Sequence, residues 1–214
     1  MKRTFLVLSL ALFCLQMPGL AQKARVGITG GATISNMSGE IDGFKTDFQT
    51  RGGFTTGIIV DAPIGKTRFS FQPGVHYVQK GTTLSETKEQ TIYRALRYAE
   101  FNMNFLYNTR GTKGINIFFG LGPALALNLP SKTVTQFQDD TKIDVNINFG
   151  KEGAAELKGV DYGVTGLAGL QFKNGAFISF NYTHGIRNLI PGEGPDDIRN
   201  TCFAIRLGLL ISNK

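Results

Sequence analysis

The sequence has no tryptophan, only two cysteines and two histidines, and few charged residues, which make up 18% of its 214 residues. Cys14 lies in an N-terminal apolar segment, so Cys202 is the only cysteine in the rest of the chain. One remaining cysteine allows no internal disulfide, and an exported protein of this size must be stabilised in another way. One thiol and two separated histidines, His76 and His184, predict no metal site, and no cofactor is expected.

Long apolar runs are also missing. Beyond the N-terminal segment, the chain has no stretch of about 18 uninterrupted apolar residues, which a membrane-spanning helix requires. At the N-terminus, Lys2 and Arg3 precede a short apolar run, and the small residues Gly19 and Ala21 stand at the −3 and −1 positions of a cleavage site. These features exclude a helical inner-membrane protein and predict a signal peptide over 1–21, cleaved after Ala21.

The charge of the chain is modest. Removal of Lys2 and Arg3 with the signal reduces the formal net charge from +7 to +5, with 21 basic and 16 acidic residues remaining. The basic residues are spread along the chain, whereas a nucleic-acid-binding protein more often clusters them on one face, so no nucleic-acid partner is predicted. At an outer surface, the expected partners of these cations are the anionic head groups of outer-membrane lipid.

What the chain has instead is 27 Gly, 17 Phe, 6 Tyr and a two-residue alternation of apolar and polar side chains. This composition is typical of curved, pleated strands with aromatic rims. The alternation predicts eight strands, over 24–33, 51–62, 67–78, 93–107, 114–127, 157–172, 176–187 and 200–212. In the sixth, for example, Val160 and Tyr162 lie on an apolar face, while Asp161 and Gly163 lie on the other face.

The connectors alternate in length as well. Three are short, over 63–66, 108–113 and 173–175, and four are long, over 34–50, 79–92, 128–156 and 188–199. This rhythm, with strands of ten residues or more and small residues on the polar face, is typical of a closed transmembrane barrel and not of a soluble sandwich. We predict an eight-stranded antiparallel up-and-down transmembrane β-barrel over 22–214 in the cell outer membrane, with both termini in the periplasm.

The longest connector contains two further alternating pieces, 133–138 and 144–149. At six residues each they are too short to cross a bilayer, which needs roughly 9–11 residues per tilted strand. We predict that they form a hairpin beyond the membrane. A ten-stranded barrel is the alternative.

The fourth predicted strand carries a carboxylate in the middle of its inward face. The inward set is Tyr98, Glu100, Asn102 and Asn104, and the outward set is Ala99, Phe101, Met103, Phe105 and Tyr107. A buried charge is costly unless it is paired, so an inward-facing cation is expected beside Glu100. The predicted lumen polar network consists of Glu100, Arg25, Arg68, Arg206, Asn102 and Asn104. Its expected role is to fill the narrow interior of an eight-stranded barrel.

Four segments, 27–35, 72–81, 98–101 and 180–188, occur in an order and spacing that resemble one family. The run Tyr98-Ala99-Glu100-Phe101 is similar to the "tyrosine, any, glutamate, apolar" signature of the PorT-like outer-membrane β-barrel proteins. The resemblance implies a small barrel of the OmpA/OmpX-like architecture and no particular reaction. Its name-giving member is an accessory of a protein-secretion system. The chain departs from the family pattern at Asn102, which replaces an aliphatic-proline step, and at its last residue, Lys214, where many outer-membrane barrels have an aromatic residue.

The sequence thus predicts a non-enzymatic protein with a structural or interaction role at the cell surface, exerted through its long loops. Envelope or secretion-system proteins are the expected protein partners, and an accessory role in secretion is the alternative function. A narrow small-solute channel and a lipid-modifying barrel enzyme are further alternatives. The enzyme would need a serine beside a histidine near the outer rim, but neither His76 nor His184 has a serine two residues away.

Overall fold

The structure, a computed structural model, describes residues 24–109, 114–150, 155–192 and 194–211. The predicted signal peptide over 1–21 and the chain end at Lys214 lie outside the described residues. None of the described residues belongs to a helix that is long and apolar enough to cross a membrane.

The described residues form ten β-strands. They are β1 (Arg25–Ile41), β2 (Phe44–Asp47), β3 (Gln49–Pro63), β4 (Phe69–Glu86), β5 (Gln90–Asn108), β6 (Ile115–Phe137), β7 (Lys142–Asn146), β8 (Val160–Phe172), β9 (Ala176–Gly185) and β10 (Asp197–Ile211).

Eight of these strands close into one ring of antiparallel neighbours, in the order β1, β3, β4, β5, β6, β8, β9 and β10. The ring is completed by β10 and β1, which pair from Val26 and Ile211 to Glu40 and Asp197. Because each ring strand has a partner on both sides, its backbone groups are satisfied within the sheet, as a membrane-spanning sheet requires. The predicted eight-stranded antiparallel barrel is confirmed.

Alternation along the ring strands separates an outer apolar surface from a lumen. Each ring strand places exposed apolar side chains outside, and we call this surface the apolar belt. One member from each strand in ring order is Ile28, Ile58, Val75, Phe105, Leu121, Val164, Phe180 and Leu207. The alternate residues are buried inside, as predicted for the fourth, sixth, seventh and eighth predicted strands. A surface of this kind is stable against lipid chains, and it explains why the outward positions are branched and aromatic.

The first predicted long loop, 34–50, is mostly strand, which corrects the prediction. β1 continues to Ile41, which pairs with Phe44 across a two-residue turn. The turn residues Asp42 and Gly43 have φ angles of 53° and 77°. Two consecutive positive φ angles define the type I′ hairpin turn, for which Asp-Gly is a favoured pair.

The second predicted long loop, 79–92, is also a hairpin. β4 and β5 stay paired up to Glu86 and Thr91, and the bond from Thr87 N to Gln90 O closes the turn at 2.9 Å. The register of the two strands shifts between Thr83 and Ser85. This bulge interrupts the two-residue alternation near the tip of the hairpin.

The predicted hairpin within 128–156 is present. β6 extends to Phe137, and β7 turns back along it, with Thr133 opposite Val145 and Thr135 opposite Ile143. β7 pairs with β6 and takes no place in the ring, where β6 pairs directly with β8. The barrel therefore has eight strands rather than ten, and three hairpins extend from its long-loop end, the end opposite the chain termini.

Two apolar clusters lie inside the barrel, one near each end. The mouth cluster, near the long-loop end, consists of Met37, Leu96, Tyr98, Ala126, Ile147, Leu157, Leu189 and Ile198. The turn-end cluster consists of Ile59, Leu106, Phe118, Leu167, Phe177 and Leu210. Along β5, Glu100 and Asn102 lie between Tyr98 of the first cluster and Leu106 of the second. A layer of buried polar side chains therefore separates the two clusters.

Candidate functional site: a charged cluster in the barrel lumen

Three strands bring charged side chains together in the polar layer. Glu100 points inward from β5, Lys80 from the adjacent β4, and Arg206 from β10. Counting around the ring, β10 is four strands from β5 in either direction, so it lies on the opposite wall. The interior of an eight-stranded barrel is narrow enough for long side chains to meet across it.

The three side chains form a buried ion-pair cluster. Lys80 Nζ lies 2.8 Å from Glu100 Oε2, and Arg206 Nη2 lies 3.8 Å from Glu100 Oε1. The side chains of Lys80 and Glu100 are 3% and 1% exposed. Asn102 Nδ2 donates a hydrogen bond of 3.2 Å to Glu100 Oε1. Because Glu100 has cations on two sides and an amide donor, the desolvation of its charge is offset locally.

Aromatic and polar neighbours complete the cluster. Lys80 Nζ lies 5.3 Å from the centre of the Tyr98 ring, within the range of a cation–π contact. Asn102 also donates to Thr165 Oγ1 at 3.4 Å, and Thr165 in turn bonds Thr183 at 2.9 Å. The cluster therefore connects β4 and β5 with β8, β9 and β10 through side chains alone.

His76 is part of the cluster, a role that the sequence did not reveal. It lies opposite Glu100 in the β4–β5 ladder, and its Nδ1 is 3.1 Å from Asn102 Oδ1. The side chain is buried in the lumen near the middle of β4. Its Nε2 has no hydrogen-bond partner among the described residues.

The structure brings together only some residues of the predicted network. Arg206 and Asn102 contact Glu100, whereas Arg25 and Arg68 do not, which corrects the predicted set. Arg25 lies near the short-turn end of β1, where its Nη2 is 2.6 Å from Asp61 Oδ2. Arg68 precedes β4, and its Nη1 donates to the Tyr107 hydroxyl at 3.0 Å on the exposed rim.

Asn104 of the predicted network is buried in the lumen, closer to the short-turn end than Glu100. Its Oδ1 has no hydrogen-bond partner among the described residues. Sequence reasoning also missed Lys80 as a member of the cluster, because the third predicted strand ended at residue 78. His76 and Val78 face inward at alternate positions, and the same alternation continued by two residues places Lys80 on the inward face. The sequence therefore contained the signal that would have found Lys80.

The second histidine lies on the other side of the barrel wall. His184 is outside, and its ring stacks on Tyr182 with centroids 6.4 Å apart. Tyr182 also contacts Phe203 of the neighbouring strand, with ring centroids 5.2 Å apart. His184 therefore belongs to an aromatic patch on the outer surface, while His76 is buried inside.

The arrangement can neutralise charge and connect opposite walls of the barrel. Loop residues Ile147, Leu157 and Leu189 of the mouth cluster pack over the polar layer from the long-loop end. At the other end, a cavity of about 10 Å³ lies among Asp61, Gln171 and the turn-end cluster, room for about one water molecule. Among the described residues, no group of three His, Cys, Asp or Glu side chains is placed to hold a metal ion.

Three solved structures match most of this chain at low sequence identity. Ail, the attachment invasion locus protein of Yersinia pestis, was solved with the heparin analogue sucrose octasulfate. It is 14% identical, with 88% of this chain and 99% of that chain covered and a TM-score of 0.44. OprG from Pseudomonas aeruginosa is 13% identical, with 90% and 98% covered and a TM-score of 0.47. Neisserial surface protein A is 9% identical, with 87% and 97% covered and a TM-score of 0.46.

Among curated proteins, none gives a significant match to this chain. A family model does match, and its description is "Outer membrane protein beta-barrel domain". The match extends over residues 20–191, which is most of the chain and includes nine of the ten strands described above. The chain belongs to this family of outer-membrane β-barrel proteins.

Proposed function

We propose that the protein is a non-enzymatic outer-membrane barrel that binds another envelope protein through the hairpin of β6 and β7. The barrel interior offers little room for a ligand, because the charged cluster lies between two apolar clusters. The hairpins extend beyond the apolar belt and present side chains and backbone to the surroundings. Loops and extensions on a rigid scaffold are common places for binding.

The observation that carries this proposal is the edge of β7 that pairs with no other strand among the described residues. Phe137 N donates to Thr141 O at 2.9 Å, and Ile147 N donates to Ser131 O at 3.0 Å. Since hydrogen-bonded pairs alternate in an antiparallel ladder, the backbone groups of Ile143 and Val145 also point toward β6.

The remaining backbone groups of β7, those of Lys142, Asp144 and Asn146, point away from β6. The side chains of Ile143 and Val145 are 53% and 59% exposed on the same hairpin. An unpaired strand edge with exposed apolar side chains is a template for adding a strand from another protein. We therefore expect an extended segment of the partner to bind along β7.

An accessory role in protein secretion is the finer form of this proposal, and the PorT-like resemblance supports it. The two defining positions of the motif, Tyr98 and Glu100, are both buried in the lumen, where Tyr98 packs in the mouth cluster. The motif thus stabilises the barrel, and the specificity for a secretion partner is expected in the hairpins. Neither a channel nor a lipid-modifying enzyme is favoured by a specific contact of the described residues.

The experiment compares affinity purification from cross-linked outer membranes for three forms of the protein. The double variant Ile143→Ser/Val145→Ser is expected to recover the partner at least about tenfold less than the unchanged protein. Phe44→Ser removes an even more exposed apolar side chain, 75% exposed, from the β1–β2 hairpin and serves as the control. Both changes are on the surface, so the heat-dependent gel migration of a folded barrel should be unchanged.

The same proteins recovered in equal amounts with all three forms would contradict the proposal.

An enzymatic function is tested separately, by assaying the modification of lipid A. If the unchanged protein modifies lipid A and the variants His76→Ala or His184→Ala do not, the non-enzymatic assignment is wrong.

A further inference from the structure

Three cations lie on the outer surface at the upper border of the apolar belt. They are Arg97 on β5, Lys158 just before β8 and Arg187 just after β9. Lys158 follows Leu157, which is buried in the mouth cluster, so the extended chain directs Lys158 outward. We call these three residues the basic strip.

The strand register places two members of the basic strip at one level. Arg97 is paired with Leu129 of β6, and the neighbouring Asn128 N donates to Gly159 O at 3.0 Å. Lys158 therefore lies beside Leu129, on the far side of β6 from Arg97. Two strand spacings of about 4.8 Å separate Arg97 from Lys158, so these two cations are roughly 10 Å apart.

Arg187, just after β9, lies closer to the apolar belt than the other two. Ile186 N donates to Tyr162 O at 2.9 Å and Arg187 N to the same oxygen at 3.4 Å, which places Arg187 beside the start of β8, about three residues along that strand from Lys158. Its guanidinium lies 5.6 Å from the centre of the Tyr162 ring, in a cation–π contact on the outer surface. Tyr162 itself is exposed, so Arg187 is held at the surface rather than drawn into the lumen.

No acidic side chain among the described residues forms an ion pair with the basic strip. Two acidic residues close to Lys158 in the sequence are engaged elsewhere, since Glu156 pairs with Arg94 at 3.8 Å and Asp161 is buried on the inward face of β8. Within the described part of the chain, the three positive charges therefore have no acidic partner and can bind anions from outside the protein.

The belt below the strip determines which anion reaches it. Leu125, Leu127, Tyr162 and Val164 lie on the same outer face, beside Arg187 and below Arg97 and Lys158, and all four are exposed. Cations at the edge of an apolar, aromatic surface lie where lipid head groups meet acyl chains. Arginine binds phosphate oxygens with two parallel hydrogen bonds, and lysine binds them as a point charge.

We propose that the basic strip binds the phosphate groups of a membrane lipid in the leaflet at the long-loop end. Arg97 and Lys158 alone span roughly 10 Å, given the strand spacing, which is wider than a single phosphate, so the basic strip fits a lipid with two phosphate groups. This site is separate from the β7 edge and does not depend on the proposed protein partner.

The test measures binding of diphosphoryl and monophosphoryl lipid A to the purified full chain in neutral detergent micelles. The triple variant Arg97→Gln/Lys158→Gln/Arg187→Gln is expected to bind diphosphoryl lipid A at least about tenfold more weakly. The control Lys45→Gln/Lys132→Gln/Lys142→Gln removes the same charge from hairpins beyond the belt and should bind as the unchanged protein does. The unchanged protein should bind the monophosphoryl form severalfold more weakly than the diphosphoryl form.

Heat-dependent gel migration checks that each variant is folded. If the triple variant does not fold, the single variant Lys158→Gln replaces it and is expected to bind diphosphoryl lipid A severalfold more weakly than the unchanged protein. Equal binding by the strip variant and the control variant would overturn the proposal, and so would equal affinity for the two lipids. Full competition by millimolar inorganic phosphate would also overturn it, because the site would then be a general anion site rather than a lipid site.

Discussion

Glu100 forms ion pairs with side chains from two strands: Lys80 on the adjacent β4 and Arg206 on β10 across the lumen. The two contacts differ in length, 2.8 Å and 3.8 Å, so Lys80 is the direct partner and Arg206 is a second, more distant cation. Removal of one member of such a cluster leaves the others buried without compensation. That penalty, rather than the net value of the pair, is what a substitution measures.

We therefore expect Glu100→Gln to lower the free energy of unfolding by about 3–5 kcal/mol, because Lys80 and Arg206 lose their counter-charge. Urea unfolding in detergent micelles measures this. Asp144→Asn is the matched control, since it breaks the exposed pair with Lys132, also 2.8 Å long. An exposed pair contributes at most about 1 kcal/mol. Equal losses for the two variants would show that the lumen cluster does not stabilise the barrel.

The sequence predicted which side chains of each strand face the lumen, but it did not predict which of them contact Glu100. Asn102 and Arg206 were assigned to the lumen because each is on the inward face of a regular alternation. Arg25 and Arg68 were predicted as partners of Glu100, because the alternation of a strand shows which face a residue lies on but not its height along the barrel axis. Height depends on the stagger of neighbouring strands, which the pairing partners fix only in three dimensions.

At the scale of the elements, the extent of the hairpins was the part that sequence reasoning missed. The chain at 34–50 was read as a loop because its polar residues obscure the alternation, although Asp42-Gly43 is a recognisable turn signal. The β6–β7 hairpin was predicted because both of its strands alternate clearly. Polar strands beyond a membrane need no apolar face, and this is why their pattern is weak.

Where β1 pairs with β10, Gly31 allows a close approach of the two backbones, and the adjacent Gly30 provides a control. A Cβ atom on Gly31 would lie 1.9 Å from the backbone oxygen of Ile205, whereas one on Gly30 would meet nothing within 4 Å. We expect Gly31→Ala to cost about 1–3 kcal/mol, since the two strands must move apart. Gly30→Ala should change stability by less than about 0.5 kcal/mol.

Urea midpoints and the heat-dependent gel migration of both glycine variants check this expectation. If the two variants are equally stable, the close approach of β1 and β10 at Gly31 is not needed for closure of the ring.

At the scale of the whole molecule, the lumen is filled from one end to the other. The mouth cluster, the charged cluster and the turn-end cluster follow one another along the barrel axis. We expect no reproducible conductance when the purified, heat-modifiable barrel is incorporated into planar bilayers. A porin added to the same bilayers is the control for incorporation. Large and regular current steps from this protein would show that the clusters leave an open path.

The contact between Glu100 and Arg206 also limits how the barrel can assemble. An unclosed sheet in the bilayer would expose the ion pair of Glu100 and Lys80 on the middle strands to acyl chains, at a high cost even for paired charges. Arg206 is on β10, the same strand that pairs with β1 to close the ring. Closure of the sheet therefore brings Arg206 to Glu100 and separates the ion pair from lipid in one event. Insertion is expected to be all-or-none, with the final strand deciding when the chain can leave the assembly machinery.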